Sequence, residues 1–111
     1  MNMELNEYQK KAMITSKKWE QKKDHEINGL LGLAGEAGEV CDMLKKHYSV
    51  GTPIDREALA KELGDVMWYI AELCDAFGFT MDEIAEKNIK KLAARHGSSF
   101  SGVGNRSGEG K

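Results

Sequence analysis

Two pairs of acidic residues, each embedded in an apolar stretch, place the strongest constraint on how this chain of 111 residues can fold. Glu36 and Glu39 form the first pair and Glu62 and Asp65 the second, and the two acids of each pair are three residues apart. In an α-helix that spacing places both side chains on one face. Four carboxylates beside apolar surface repel one another, so they are unfavourable unless a positive charge lies between them. The pattern therefore predicts two facing helices that hold a hard divalent cation, Mg²⁺ or Mn²⁺.

Helical periodicity extends over most of the chain, which favours an all-α fold. Apolar residues recur at steps of three and four, and no stretch alternates with period 2 for long enough to indicate a strand. Asp55 is a candidate helix N-cap, Gly78 a helix terminator, and Thr80 with Glu83 a capping box. Helices are predicted for about residues 4–23, 26–47, 56–77 and 81–96. A four-helix-type bundle follows from this pattern.

The second predicted helix combines an apolar face with a regular series of glycines. The apolar residues that we expect to share one buried face are Leu30, Leu33, Ala34, Ala37, Val40, Cys41 and Leu44. Glycines occupy every third position: Gly29, Gly32, Gly35 and Gly38. Each of them costs about 0.5–1 kcal/mol relative to alanine inside a helix. Their presence indicates close approach of another helix, a ligand, or both.

Composition limits the classes of protein and partner. The net charge of −2 gives no electrostatic case for binding nucleic acid, and no apolar run approaches the roughly 20 residues that span a membrane. No apolar segment follows Met1, so no signal peptide is predicted. Cys41 and Cys74 fall at core-like helix positions, so we expect reduced cysteines and a cytoplasmic setting. Residues 1–97 are expected to form one domain, and 98–111 a Gly/Ser-rich tail that is flexible or orders over a neighbouring surface.

A polar stripe on the fourth predicted helix carries Asn88, Lys91 and Arg95. Lysine supplies a point charge and arginine a planar fork, which suits a polyphosphate, although such a stripe is also common on solvated surfaces. Trp19 and Trp68 are candidates for stacking on a substrate base, with packing as the alternative. The three histidines are expected to be surface or helix-end residues: His25, His47 and His96.

Three segments together resemble a known family. They are Gly-Leu-Ala-Gly-Glu-Ala-Gly-Glu-Val (32–40), Glu-Leu-Gly-Asp-Val-Met-Trp-Tyr (62–69), and Asn88 with Lys91, Leu92 and Arg95. This combination closely resembles the MazG-like nucleoside triphosphate pyrophosphohydrolases of the all-α NTP pyrophosphatase superfamily. The resemblance covers roughly residues 5–96.

The resemblance implies a helical bundle completed by homodimerisation, often as a dimer of dimers. The implied reaction cleaves a nucleoside triphosphate between its α and β phosphates, giving the monophosphate and pyrophosphate. Glu36, Glu39, Glu62 and Asp65 match the family's catalytic Mg²⁺ ligands. The family's phosphate-binding cations match Lys91 and Arg95, and its polar substrate contact matches Asn88.

The chain departs from the family motif at Gly35, where the motif commonly has its first acid. This departure leaves open the number of metal ions and the identity of the general base, to which Asp42 or Glu72 could contribute. Two alternatives to an enzyme therefore stand: a non-catalytic nucleotide-binding or dimerisation module, and a purely structural helical bundle.

Overall fold

The computed structural model describes residues 2–97, which form four helices and contain no strand. The helices are α1 (Leu5–Ile14), α2 (Lys22–Val50), α3 (Arg56–Phe77) and α4 (Met81–His96). The predicted all-α class is confirmed, whereas the predicted tail, 98–111, lies outside the described residues. Within residues 2–97, no helix has the length and apolarity that crossing a bilayer requires.

Local capping signals place the ends of α3 and α4 where the sequence predicts them. The Asp55 carboxylate accepts hydrogen bonds from the backbone N–H groups of Glu57 and Ala58, at 3.0 and 3.1 Å. Gly78 ends α3 with a φ of 78°, a left-handed conformation that favours glycine. Thr80 and Glu83 form the predicted capping box at the start of α4. These termini are therefore specified by residues close in sequence.

The boundary between α1 and α2 differs from the prediction of a first helix that reaches residue 23. Helix α1 ends at Ile14, and α2 already begins at Lys22. The Thr15 hydroxyl donates to the Ala12 carbonyl at 2.6 Å, and the Thr15 N–H bonds the same carbonyl at 3.0 Å. Threonine and serine compete in this way with the backbone bonds that would continue a helix. The basic residues near 22 and 23 consequently open α2 instead of closing α1.

Helix α1 also fixes the start of α4 through two side chains. The side-chain oxygens of Gln9 and Asn6 accept hydrogen bonds from the backbone N–H groups of Met81 and Asp82, at 2.7 and 2.9 Å. These bonds satisfy N–H groups that have no partner within α4 itself. Around this junction lies a small apolar core, formed by Ala12, Ala71, Cys74 and Met81. Helices α1 and α4 are thereby joined to each other and to α3.

The most extensive helix contact joins α2 to α3, which run antiparallel. Gly29 faces Leu73, Gly32 faces the ring of Tyr69, and the next turn brings Glu36 to Asp65. A Cβ at Gly32 would overlap the Tyr69 ring, so the close approach predicted from the glycines is confirmed at Gly29 and Gly32. Among the described residues, no atom outside its own helix backbone lies within 4 Å of a Cβ position at Gly35, so packing between these residues does not require a glycine there.

The apolar face predicted for α2 is not buried by the other residues that the structure describes. Five of its members are exposed, and we name them the α2 stripe: Leu30, Ala34, Ala37, Cys41 and Leu44. Leu30 keeps 55% of its surface accessible. The residues that contact α3 lie on another side of the helix, at Gly29, Gly32 and Glu36. The prediction of a core position is therefore wrong for Cys41 and correct for Cys74, which is 5% exposed.

Alanine substitutions at Gly32 and Gly35 are expected to change stability in opposite directions. Gly32→Ala should lower the free energy of unfolding by about 1–3 kcal/mol, because its methyl group must displace the Tyr69 ring. Gly35→Ala should raise it by about 0.5–1 kcal/mol, because alanine is the better helix former and the site is open. Urea unfolding followed by circular dichroism measures both. Equal effects of the two substitutions would contradict the close contact between α2 and α3.

Candidate metal and nucleotide site

Three of the four predicted acids meet where α2 crosses α3. Glu36, Glu62 and Asp65 each offer one carboxylate oxygen, and these oxygens lie within 4.8 Å of one another. Glu36 and Glu62 are half-buried and Asp65 is exposed. The helical spacing of Glu62 and Asp65 places both on one side of α3, and the contact between the helices brings Glu36 to them. We call these three residues the acidic cluster.

The acidic cluster fits a hard divalent cation. Oxygen Oε1 of Glu62 is buried and has no hydrogen-bond partner among the described residues. A buried carboxylate oxygen without a donor is unfavourable, and a cation would satisfy it. Carboxylate oxygens are the ligands that Mg²⁺ and Mn²⁺ prefer.

The neighbouring carboxyl groups raise the pKa of one member of the acidic cluster, Glu36. A hydrogen bond with the Glu62 carboxyl raises the pKa of Glu36, and burial and the charges of Asp65, Glu62 and Glu39 add to the effect. Burial, followed by the charge of Asp65, raises the pKa of the Tyr8 hydroxyl. Helix α1 thus places Tyr8 within electrostatic reach of the cluster. Nothing in the sequence distinguishes Tyr8 from the other apolar residues of α1, such as Leu5 and Met13.

Glu39 lies one helical turn beyond the cluster. Its side chain is exposed, and it acts on Glu36 as a neighbouring negative charge. It is not among the three residues whose oxygens converge. Its assignment as a fourth ligand stays a prediction.

A cavity of about 380 Å³ opens beside the acidic cluster. Its lining comprises Glu36, Asp65, Trp68 and Tyr69, so it combines two carboxylates with two aromatic rings. The Trp68 indole N–H donates to the Thr15 hydroxyl at 2.8 Å, which fixes the orientation of the ring. Trp68 also packs edge-on against Tyr69, with ring centroids 5.0 Å apart. Trp68 therefore combines a packing role with a position at the cavity.

The other predicted substrate aromatic, Trp19, lies in the connection between α1 and α2. It stacks on His25 with ring centroids 5.7 Å apart and an interplanar angle of 10°. The ammonium group of Lys17 lies 4.4 Å from the centroid of the Trp19 ring. His25, predicted as a surface or helix-end residue, lies at the start of α2, where its side chain is only 12% exposed and lies beside Glu72. The sequence alone gives no sign of this contact, because Glu72 and His25 are 47 positions apart.

The polar stripe of α4 does not meet the acidic cluster within the described part of the chain. Asn88, Lys91 and Arg95 are exposed on α4, which packs against α1. Among residues 2–97, no ion pair joins Lys91 or Arg95 to an acid. Asn88 borders a different cavity, of about 220 Å³, between α1, α3 and α4. The roles of these three residues stay predictions.

Comparison with known proteins shows the family to which this chain belongs. Residues 24–100, more than half of the chain, match the model of the MazG nucleotide pyrophosphohydrolase domain. The chain is also similar to the Gene 37 protein of Mycobacterium phage L5, with 39% identity over 69 residues. That match covers 59% of this chain and 60% of the phage protein, so the chain spans less than two thirds of that relative. No solved structure matches the chain.

Cation binding to the acidic cluster is expected to release protons. Because the pKa of Glu36 is raised, a bound cation must displace the proton that this carboxyl retains as the pH falls. Calorimetric titration with MgCl₂ in two buffers of different protonation enthalpy measures that release. We expect weaker binding and more released protons as the pH approaches the pKa of Glu36 from above.

Glu36→Gln tests the same repulsion through stability. The pKa of Glu36 is higher in the folded state than in the unfolded state. Without metal, the free energy of unfolding is therefore highest at a pH below the unfolded-state pKa, and it falls as the pH rises through the folded-state pKa. Glu36→Gln should remove that fall and the proton release, whereas Glu7→Gln, an exposed glutamate on α1, should preserve both. Identical pH profiles for wild type and Glu36→Gln would contradict the repulsion.

Proposed function

The chain belongs to the family of MazG nucleotide pyrophosphohydrolases, and we propose that it hydrolyses ribo- or deoxyribonucleoside triphosphates to the monophosphate and pyrophosphate. The observation that carries this proposal is the convergence of the Glu36, Glu62 and Asp65 oxygens within 4.8 Å. The proposed cofactor is Mg²⁺, with Mn²⁺ as a substitute, held by these residues and by Glu39 from the next turn. The proposed setting is the cytoplasm.

In this proposal the acidic cluster binds the metal ion and the phosphates, and the cavity beside it binds the nucleoside. A bound divalent cation would polarise phosphate oxygens and favour the hydroxide form of a ligated water. The carboxylates of the acidic cluster would hold that ion and, with it, the phosphates of the substrate. The rings of Trp68 and Tyr69 line the cavity and would support the nucleoside. Trp19 is proposed as a further aromatic contact with the substrate.

Cations are needed to balance the charge of a triphosphate. We assign this role to Lys91 and Arg95, with Asn88 as a polar contact. Since α4 packs against α1 and these side chains are exposed, a second copy of the chain would supply them to the acidic cluster.

The α2 stripe supports a homodimer. Leu30 and Leu44 are 55% and 41% exposed, and Leu63 and Met67 on α3 are 48% and 40% exposed. Fully burying a leucine side chain stabilises a protein by about 1.5–3 kcal/mol relative to leaving it in water. A second copy that packs its own stripe on this one would form the remaining half of a helical bundle.

Gly35 favours one alternative, a module that binds nucleotides without hydrolysing them. The family motif commonly has an acid there, and the position is open as far as residues 2–97 show, with no atom outside its own helix backbone within 4 Å of a Cβ. Calorimetric binding of nucleotides with Mg²⁺, together with no product from a panel of nucleoside triphosphates, would establish this alternative.

Glu62→Gln is expected to abolish pyrophosphate release while the fold survives. The change removes the charge on the buried, unpartnered oxygen, so kcat/KM should fall by about a hundredfold or more, beyond the 10–100-fold typical of residues that only support metal ligands. Pyrophosphate is measured with an enzyme-coupled assay, and the fold by thermal unfolding without metal. Glu7→Gln serves as the matched control, because Glu7 is an exposed helical glutamate. Turnover by Glu62→Gln equal to that of the control would contradict the site.

Leu30→Glu is expected to convert the dimer to a monomer. Two-fold symmetry would bring the new charge into the interface twice, against apolar surface. Sedimentation velocity measures the oligomeric state. Ile14→Glu on α1 is the control, because Ile14 is 81% exposed and lies outside the α2 stripe. A wild-type monomer at micromolar concentration, or a dimer that survives Leu30→Glu, would contradict this interface.

A further inference from the structure

One wall of the cavity beside the acidic cluster is tied to the end of helix α1. Trp68 lines this cavity next to Glu36 and Asp65. Its indole N–H donates to two oxygens at the end of α1, the Thr15 hydroxyl at 2.8 Å and the Ala12 carbonyl at 3.2 Å. The indole N–H is the only polar group of a tryptophan side chain. Trp68 therefore offers the cavity an apolar ring, while its donor is bound to α1.

The hydrogen bonds at this junction leave the Thr15 hydroxyl a single arrangement. An indole N–H can only donate, so the Thr15 oxygen must accept from Trp68. The hydroxyl proton then goes to the Ala12 carbonyl, 2.6 Å away. That carbonyl belongs to the last turn of α1, where carbonyl groups have no partner within the helix. One hydroxyl thus closes the end of α1 and holds the indole at the same time.

These bonds oppose rotation of the indole ring. The χ2 angle of tryptophan has two broad preferred ranges, so the side chain has two ring orientations to choose from. A half-turn of the ring would carry its N–H away from Thr15 and leave the hydroxyl oxygen without that donor. The Trp68 ring also packs against Tyr69 at an interplanar angle of 83°. The bond to Thr15 therefore favours the orientation in which the ring lines the cavity.

The neighbouring residue, Ser16, offers a matched comparison. Its hydroxyl lies 3.4 Å from Oε2 of Glu72, which is one turn beyond Trp68 on α3 and does not line the cavity. Thr15 and Ser16 thus join the same end of α1 to the same helix, but of these two only Thr15 bonds the cavity wall. An effect confined to Thr15 consequently does not come from a general loosening of this helix end.

We propose that Thr15 is a positioning residue that orients Trp68 as a wall of the substrate cavity. This inference rests on the proposed nucleotide site, and it adds a residue of α1 that does not itself line the cavity. A ring already held in its bound orientation loses less freedom when the substrate enters, so the effect falls on binding and not on the chemical step. Thr15 is exposed, and removing its hydroxyl costs the fold little.

The kinetic test uses Mg²⁺ and whichever of the four canonical deoxynucleoside triphosphates wild type hydrolyses fastest. Thr15→Val keeps the shape of the side chain and removes the hydroxyl, which leaves the indole only its longer bond to Ala12. It should raise KM by about two- to tenfold, the range that one hydrogen bond accounts for, and leave kcat unchanged. Thr15→Ser keeps the hydroxyl and should keep the wild-type KM. Ser16→Ala should keep it as well.

Two further measurements show whether Thr15 acts through Trp68. The chain has two tryptophans, so ¹H–¹⁵N NMR gives two indole signals, and Trp68→Phe identifies the one that belongs to Trp68. Thr15→Val should speed hydrogen exchange of that signal, whereas Thr15→Ser should not. When Thr15→Val is added to Trp68→Phe, KM should change no further, because the N–H group that Thr15 binds is already absent.

Three results would overturn the positioning role while pyrophosphate release stands. The first is an unchanged KM or unchanged indole exchange in Thr15→Val. The second is an equal rise of KM in Ser16→Ala, or a rise that persists in the Trp68→Phe background. The third is a lower kcat with a lower melting temperature in Thr15→Val, which would mean that Thr15 only stabilises the fold.

Failure of the proposed function is recognised separately, from wild type alone. If wild type hydrolyses none of the four nucleotides, the proposed reaction is wrong. Calorimetric dissociation constants for their α,β-imido analogues with Mg²⁺ then replace KM in the same comparison of variants and decide the role of Thr15. Absence of any binding by wild type would overturn both proposals.

Discussion

The close contact between α2 and α3 is the interaction on which the rest of the structure depends. Gly29 and Gly32 allow Leu73 and Tyr69 to approach the α2 backbone, where a Cβ at either position would be crowded. One turn further along, the same approach brings Glu36 to Glu62 and Asp65, with oxygens within 4.8 Å. The packing of the helices therefore works against the repulsion of the carboxylates. A divalent cation would relieve that repulsion, which links metal binding to the stability of the helix pair.

A second consequence of this contact is the apolar surface that it leaves uncovered. Helix α2 turns its glycines and acids toward α3, so Leu30 and Leu44 on the α2 stripe face away from the chain's own core. The core itself consists largely of small residues, such as Ala12 and Ala71. We propose a second copy of the chain as the cover for this exposed stripe. The same assembly would bring the cations of α4 to the acidic cluster.

The features that the sequence predicted well are those that depend on neighbouring residues. The caps at Asp55 and at Thr80 with Glu83 each form within one turn, and the three-residue spacing placed Glu62 beside Asp65. The prediction failed where a distant residue decides the outcome. Periodicity identified the apolar face of α2 but could not show that it faces away from α3. The end of α1 at Ile14, by contrast, follows from a local contact that periodicity does not reveal, the bond from the Thr15 hydroxyl to the Ala12 carbonyl.

The central claim is that the acidic cluster supports metal-dependent cleavage of a nucleoside triphosphate between its α and β phosphates. The most direct measurement follows the products of the wild-type chain by phosphorus NMR, with a panel of canonical and damaged nucleoside triphosphates. We predict equal amounts of monophosphate and pyrophosphate in the presence of Mg²⁺ or Mn²⁺, and no reaction after chelation of the metal. Release of orthophosphate and diphosphate instead, or the same rate in the presence of chelator, would contradict the claim.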